Sequence, residues 1–122
     1  MIELKKDYYI GFEGEPEIVI SIKEAGEVEA VLRIWDGYFN SIMQQVKCEN
    51  GKWTSLAYYF NLEIGWYEES PWLVEDTKEA YQQLSNIEKK DLQDIEQEVL
   101  KNILDCFEYS IRNQVDLLIS YE

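Results

Sequence analysis

The sequence predicts an α+β domain in which an N-terminal antiparallel β-meander of about five or six strands is packed by C-terminal helices. Three observations carry that expectation. Apolar and polar side chains alternate through most of residues 7–35, Asn50-Gly51 is a hairpin-turn dipeptide, and from Asp76 onward the apolar positions recur at helical spacing. The chain reads as a single domain over residues 1–122, with the sheet at about 4–67 and the helices at about 76–121.

In Asp7 to Phe12, Tyr8, Ile10 and Phe12 share one face, and in Glu17 to Lys23, Ile18, Ile20 and Ile22 do the same. Each is expected as a half-buried strand, with Gly14-Glu15-Pro16 turning the chain between them. Glu27 to Trp35 alternates again after the turn Glu24-Ala25-Gly26. Val28, Val31, Leu32, Trp35, Phe39, Ile42, Met43 and Val46 also fit one helix over residues 27–47. The strand reading is preferred because Asp36-Gly37 and Asn40 interrupt that helix and β-branched residues dominate before them.

Asn50-Gly51 supplies the positive φ that both central residues of a type I′ turn require, so Ile42–Glu49 and Lys52–Asn61 are expected to pair. Leu62 to Tyr67 adds a further strand, with Gly65 easing a bend, and Ser70-Pro71 ends the pattern. Asp76 with Glu79 forms a capping box for a helix through Leu84, and Ser85 with Glu88 offers a second. Leu92, Ile95, Val99, Ile103, Cys106 or Phe107, Ser110 or Ile111, Val115 and Leu118 then form one stripe with no Gly or Pro after Glu88. One long helix, or two nearly collinear ones, is expected to the C-terminus.

The chain has 122 residues, 46% of them apolar, and 17 aromatic rings, enough for one core. Its net charge is -14, and residues 62–122 hold 15 acids against 5 bases where residues 1–61 hold 10 against 6. Such a charge speeds encounter with a cationic partner and repels polyanions, so direct contact with nucleic acid or an anionic membrane is not expected. No apolar run is long enough to span a bilayer, and Met1-Ile2-Glu3-Leu4-Lys5-Lys6-Asp7 contains no hydrophobic signal core, so a cytoplasmic protein is expected. Cys48 and Cys106 form no CxxC pattern and are expected as two reduced, largely buried thiols.

No histidine is present, which removes the Ser-His, Cys-His and His-metal arrangements. Neither phosphate-binding glycine motif occurs. Asp91, Asp94, Glu96 and Glu98 lie on a predicted helix and read as a solvated face, not a Ca²⁺ loop. Neither a catalytic residue, a metal site nor a cofactor is assigned, and no enzyme activity is expected.

What remains is the stretch Trp53 to Thr77, with no Lys or Arg, five carboxylates and seven aromatics. Trp53 through Phe60 reads as core strand. After Gly65 the chain leaves regular structure, and Trp66, Tyr67, Glu68, Glu69 and Trp72, with Glu75 and Asp76, are the candidate partner-binding residues. Aromatic anchors rimmed by charge are the composition of protein interfaces.

In size, acidity, absence of catalytic motifs and the aromatic-acidic loop Trp66–Trp72, the chain resembles the bacterial immunity proteins that neutralise toxins of contact-dependent growth inhibition and related systems. The resemblance implies a cytoplasmic inhibitor that binds one cognate toxin domain with a basic surface, of nuclease type. No family motif is matched residue by residue. Three other uses remain open: a nucleic-acid-mimicking inhibitor of a DNA-binding protein, a small-ligand or carbohydrate-binding module, and a structural subunit that buries its helical stripe against a second copy.

Overall fold

The computed structural model describes residues 6–122 and shows an α+β fold built on one mixed five-stranded sheet. Strands β1 (Lys6–Tyr8), β2 (Glu17–Glu24) and β3 (Glu27–Trp35) are followed by helices α1 (Asp36–Met43) and α2 (Ser55–Leu62). A 3₁₀ turn (Gly65–Tyr67), strand β4 (Trp72–Leu73) and helix α3 (Thr77–Ser85) come next. A second 3₁₀ turn (Lys89–Asp91) leads into the long helix α4 (Asp94–Asn113) and strand β5 (Asp116–Tyr121). Residues 4 and 5, where the sequence reading starts the sheet, lie outside the described residues.

The β2–β3 hairpin is the sheet's longest pairing, and it turns at Ala25-Gly26, both at positive φ (55° and 81°). Ile20 pairs with Leu32 but Ser21 with Ala30, so Val31 is an extra residue in the ladder. Ile18, Ile20, Ile22, Leu32, Ile34, Leu117 and Ile119 are fully buried and form the sheet's inner face, against which α1 and α4 lie. The opposite face carries Lys23, Val28, Ala30, Arg33 and Leu73, all exposed. The inner face is covered and the outer one largely solvated, although Val19, Ser21 and Ser120 on it are buried. On the outer face, Arg33 donates to the nearly buried Glu17 through Nε (2.6 Å) and Nη2 (3.0 Å).

The strand order is β1-β3-β2-β5-β4, so the sheet is no simple meander. Strand β1 lies parallel to β3 and not beside β2, and it ends at Tyr8, which leaves Ile10 exposed in a loop. Both readings of residues 27–47 hold in part. The strand runs to Trp35 and a helix begins at Asp36, the position that interrupts the single-helix pattern.

Asn50 and Gly51 do adopt positive φ (51° and 76°), yet their flanks form only the isolated bridge Glu49–Lys52. Instead of a strand, residues 55–62 form α2, because Leu56 and Ala57 are buried side by side on one helical face where alternation would separate them. Leu62–Tyr67 is likewise no strand but a helix end and a 3₁₀ turn.

The capping of α3 by Asp76 is present, with Oδ1 accepting from the Glu79 N–H at 3.0 Å. Ser85 starts no second helix. It is the last residue of α3, and its hydroxyl donates to the Tyr81 carbonyl. Helix α4 starts where the Glu96 side chain accepts from the Gln93 N–H (3.0 Å), so Glu96 is a buried cap and not part of a solvated face. The helix stops at Gln114 in the left-handed region (φ 54°), and the chain returns as β5 against β2. The C-terminal segment expected as helix is therefore a central strand. Cys106 is buried as expected, whereas Cys48 is exposed on the α1–α2 connection.

Candidate functional site

The chain between α2 and α3 is positioned from both ends. Helix α2 closes with Glu63 in the left-handed region (φ 56°) while the Ile64 N–H bonds the Tyr59 carbonyl (3.0 Å). Gly65 follows at φ 69°, and a Cβ there would stand 3.1 Å from the Tyr59 side chain. Only glycine combines that angle with that approach. The turn then packs Trp66 inward, edge-on to Phe39 at 5.8 Å between ring centroids.

After the turn the Ser70 hydroxyl accepts from the Tyr121 N–H at 3.0 Å, and Trp72 and Leu73 pair with Ile119 and Leu118 at the sheet edge. Helix α3 then starts at its Asp76 cap. Its Gln83 side chain reaches α2, with Nε2 donating to the Thr54 carbonyl (2.7 Å) and Oε1 accepting from the Ala57 N–H (3.2 Å). Since α2 has no side-chain cap of its own, Gln83 satisfies an N–H its first turn leaves open.

These constraints leave a groove of about 380 Å³ between α2, β4 and the start of α3. Trp53, Tyr58, Tyr59 and Trp72 wall it, Glu75, Asp76 and Glu79 stand along it, and no Lys or Arg lines it. Tyr59 leans on Trp72 with centroids 4.6 Å apart, Trp72 stands 5.4 Å from the buried Trp66, and Tyr58 meets Tyr59 edge-on at 5.3 Å. Trp53 is 39% and Tyr58 43% exposed. Among the described residues Glu75 and Glu79 enter no ion pair. The groove therefore offers ring faces and uncompensated carboxylates together, which suits a cation with an apolar stem.

The seven residues picked out from the sequence divide accordingly. Trp72, Glu75 and Asp76 line the groove. Trp66 is fully buried beneath it and belongs to the core, which corrects its assignment as a contact residue. Glu68 and Glu69 are exposed on the turn and line neither the groove nor the cavity across α2, and Tyr67 faces that other side of α2. The roles of the aromatics are thus exchanged, since Trp53 and Tyr58, read as core strand, are exposed on the groove. Reading Leu56, Ala57 and Phe60 at helical spacing would have turned Tyr58 outward.

On that other side lies a second cavity of about 630 Å³, lined by Asp36, Asn40 and Gln44 of α1, Phe60, Asn61 and Glu63 of α2 and its cap, Tyr67 and Tyr121. Burial raises the Asp36 carboxyl above its ordinary value of 3.8, although Asn40 donates to its Oδ2 at 2.9 Å. Burial likewise pushes the Tyr67 hydroxyl up to about 12. Among the described residues no group of three or more Cys, Asp or Glu is arranged to hold a metal ion, and no helix is long and apolar enough to cross a membrane.

No family model matches the chain, and no curated protein or solved structure is significantly similar to it.

Proposed function

We propose that the protein is a cytoplasmic, non-catalytic inhibitor that binds a basic protein partner through the groove between α2, β4 and α3, in the manner of an immunity protein neutralising a nuclease-type toxin. The observation that carries this reading is the groove itself: four aromatic walls and three carboxylates, with no basic residue among them, in a chain of net charge -14. Rings supply contact area at low entropic cost, and unpaired carboxylates on the rim steer a cationic face into register. In a nuclease partner those carboxylates would stand where substrate phosphates stand.

Co-expression with the product of the adjacent gene tests it. A stoichiometric complex should form, and Trp72→Ala should weaken it by at least about tenfold, the loss of an interfacial anchor. An unaltered toxic activity of that product in the presence of this protein, with no complex formed, contradicts the proposal.

A second reading has support from the same rings. Exposed Trp53 and Tyr58 are platforms on which a sugar could stack, and a carbohydrate ligand would raise the melting temperature without any partner protein.

A further inference from the structure

The wall of the cavity on the far side of α2 holds a carboxylate oxygen that no donor meets. Asp36 Oδ1 is shut off from solvent and accepts no hydrogen bond, while Oδ2 takes the single bond from Asn40. Tyr67, which also lines the space, brings a hydroxyl oxygen that can accept. Buried polar atoms are seldom left unpaired, and each one forfeits hydration without replacement. Around them stand Glu63, the Asn61 amide and the rings of Tyr67 and Tyr121, whose centroids are 5.0 Å apart. Two carboxylates line the space and no cation does.

We propose that this cavity binds a guanidinium group. A planar cation with five N–H donors meets three features at once: the Asp36 carboxylate, further acceptors at Glu63 and the asparagine carbonyls, and aromatic walls on which its face can stack. An ammonium is a strongly hydrated point charge and gains less from separated acceptors and flat walls. The raised Asp36 carboxyl agrees with a carboxylate buried without its counter-charge. The inference stands independently of the groove, because it concerns different residues across α2.

The same chemistry can come from a free guanidino compound or from an arginine side chain, so the test uses two pairs of probes. Calorimetry and thermal shift compare ethylguanidinium with propylammonium, and acetyl-arginine amide with acetyl-lysine amide. Both guanidinium probes are expected to bind about tenfold more tightly than their ammonium counterparts, the scale of one charge-assisted hydrogen bond. Binding of ethylguanidinium alone assigns a small free ligand, and tighter binding of the arginine amide assigns a peptide side chain.

Asp36→Asn should raise the melting temperature of the unliganded protein while weakening guanidinium binding by about tenfold, a pair of effects that mere structural damage would not give. Tyr67→Phe, which removes only a hydroxyl, should weaken binding as well. Glu88→Gln, the same charge change away from the cavity, should leave affinity alone. Equal affinity for guanidinium and ammonium probes, or binding unmoved by Asp36→Asn and Tyr67→Phe, overturns the proposal.

Discussion

At Gly37, in the first turn of α1, an added Cβ would run into the Trp35 ring, which is itself stacked on Phe12 at 4.2 Å. Glycine to alanine in a helix ordinarily gains up to about 1 kcal/mol. Here overlap with a ring held by its own stack costs about 1–3 kcal/mol, so Gly37→Ala should lower the urea midpoint. A raised midpoint would mean that the ring moves freely. The two thiols separate just as sharply. Burial pushes Cys106 from 9.0 up to about 12, while Cys48 is exposed. Native protein should therefore take up one equivalent of a thiol reagent and a second only on unfolding. Rapid labelling of both cysteines in the native state would refute this. The raised groups also set the alkaline limit. Because the folded state holds the Cys106 and Tyr67 protons more tightly than the unfolded chain, their contribution is complete below about pH 9 and is lost as pH rises toward 12. Urea midpoints measured across that range should fall steadily. None of this was legible from residue type: Cys48 and Cys106, or Trp53 and Trp66, differ only in which neighbours the fold brings to them.

Elements were legible where periodicity was unambiguous. Ile18, Ile20 and Ile22 place β2 correctly, Glu27–Trp35 is the strand expected, and Asp76 caps α3 as its spacing with Glu79 requires. Asn50-Gly51 shows the limit of a local signal. It fixes its own two residues in a hairpin-compatible conformation but cannot compel strands on either side. The C-terminus failed for another reason. Val115 to Tyr121 fits the helical stripe and also alternates, and no Gly or Pro marks the break. The stop is instead made by Gln114 in the left-handed region and by Ser110, whose hydroxyl donates to the Val115 carbonyl while its own carbonyl accepts the Val115 N–H. The groove depends on α2, which Gln83 of α3 holds by two hydrogen bonds. Gln83→Ala should cost about 1–2 kcal/mol through the Ala57 N–H and Thr54 carbonyl left unpaired. It should also speed hydrogen exchange in the first turn of α2. Unchanged exchange there would show that α2 is held by other contacts.

At the scale of the whole molecule, the charge of -14 and the placement of the helices on one sheet face lead to the same surface. The chain needs only one face of its sheet for the core, and its acidic second half supplies the edge strand and helix start that border the groove. The sequence located this acidic, aromatic region but not its shape, because the groove takes Tyr58 and Tyr59 from a helix, and Trp53 from the segment before it, where a strand was expected. The central claim is that the groove, and not the neighbouring turn, meets a basic partner. Stopped-flow association with that partner, at low and physiological salt, compares the native protein with Glu75→Lys/Glu79→Lys and with Glu68→Lys/Glu69→Lys. The groove pair should slow association by about tenfold and flatten its salt dependence, and the turn pair should do distinctly less. Equal effects from the two pairs, or a rate indifferent to both, would contradict the groove as the docking site.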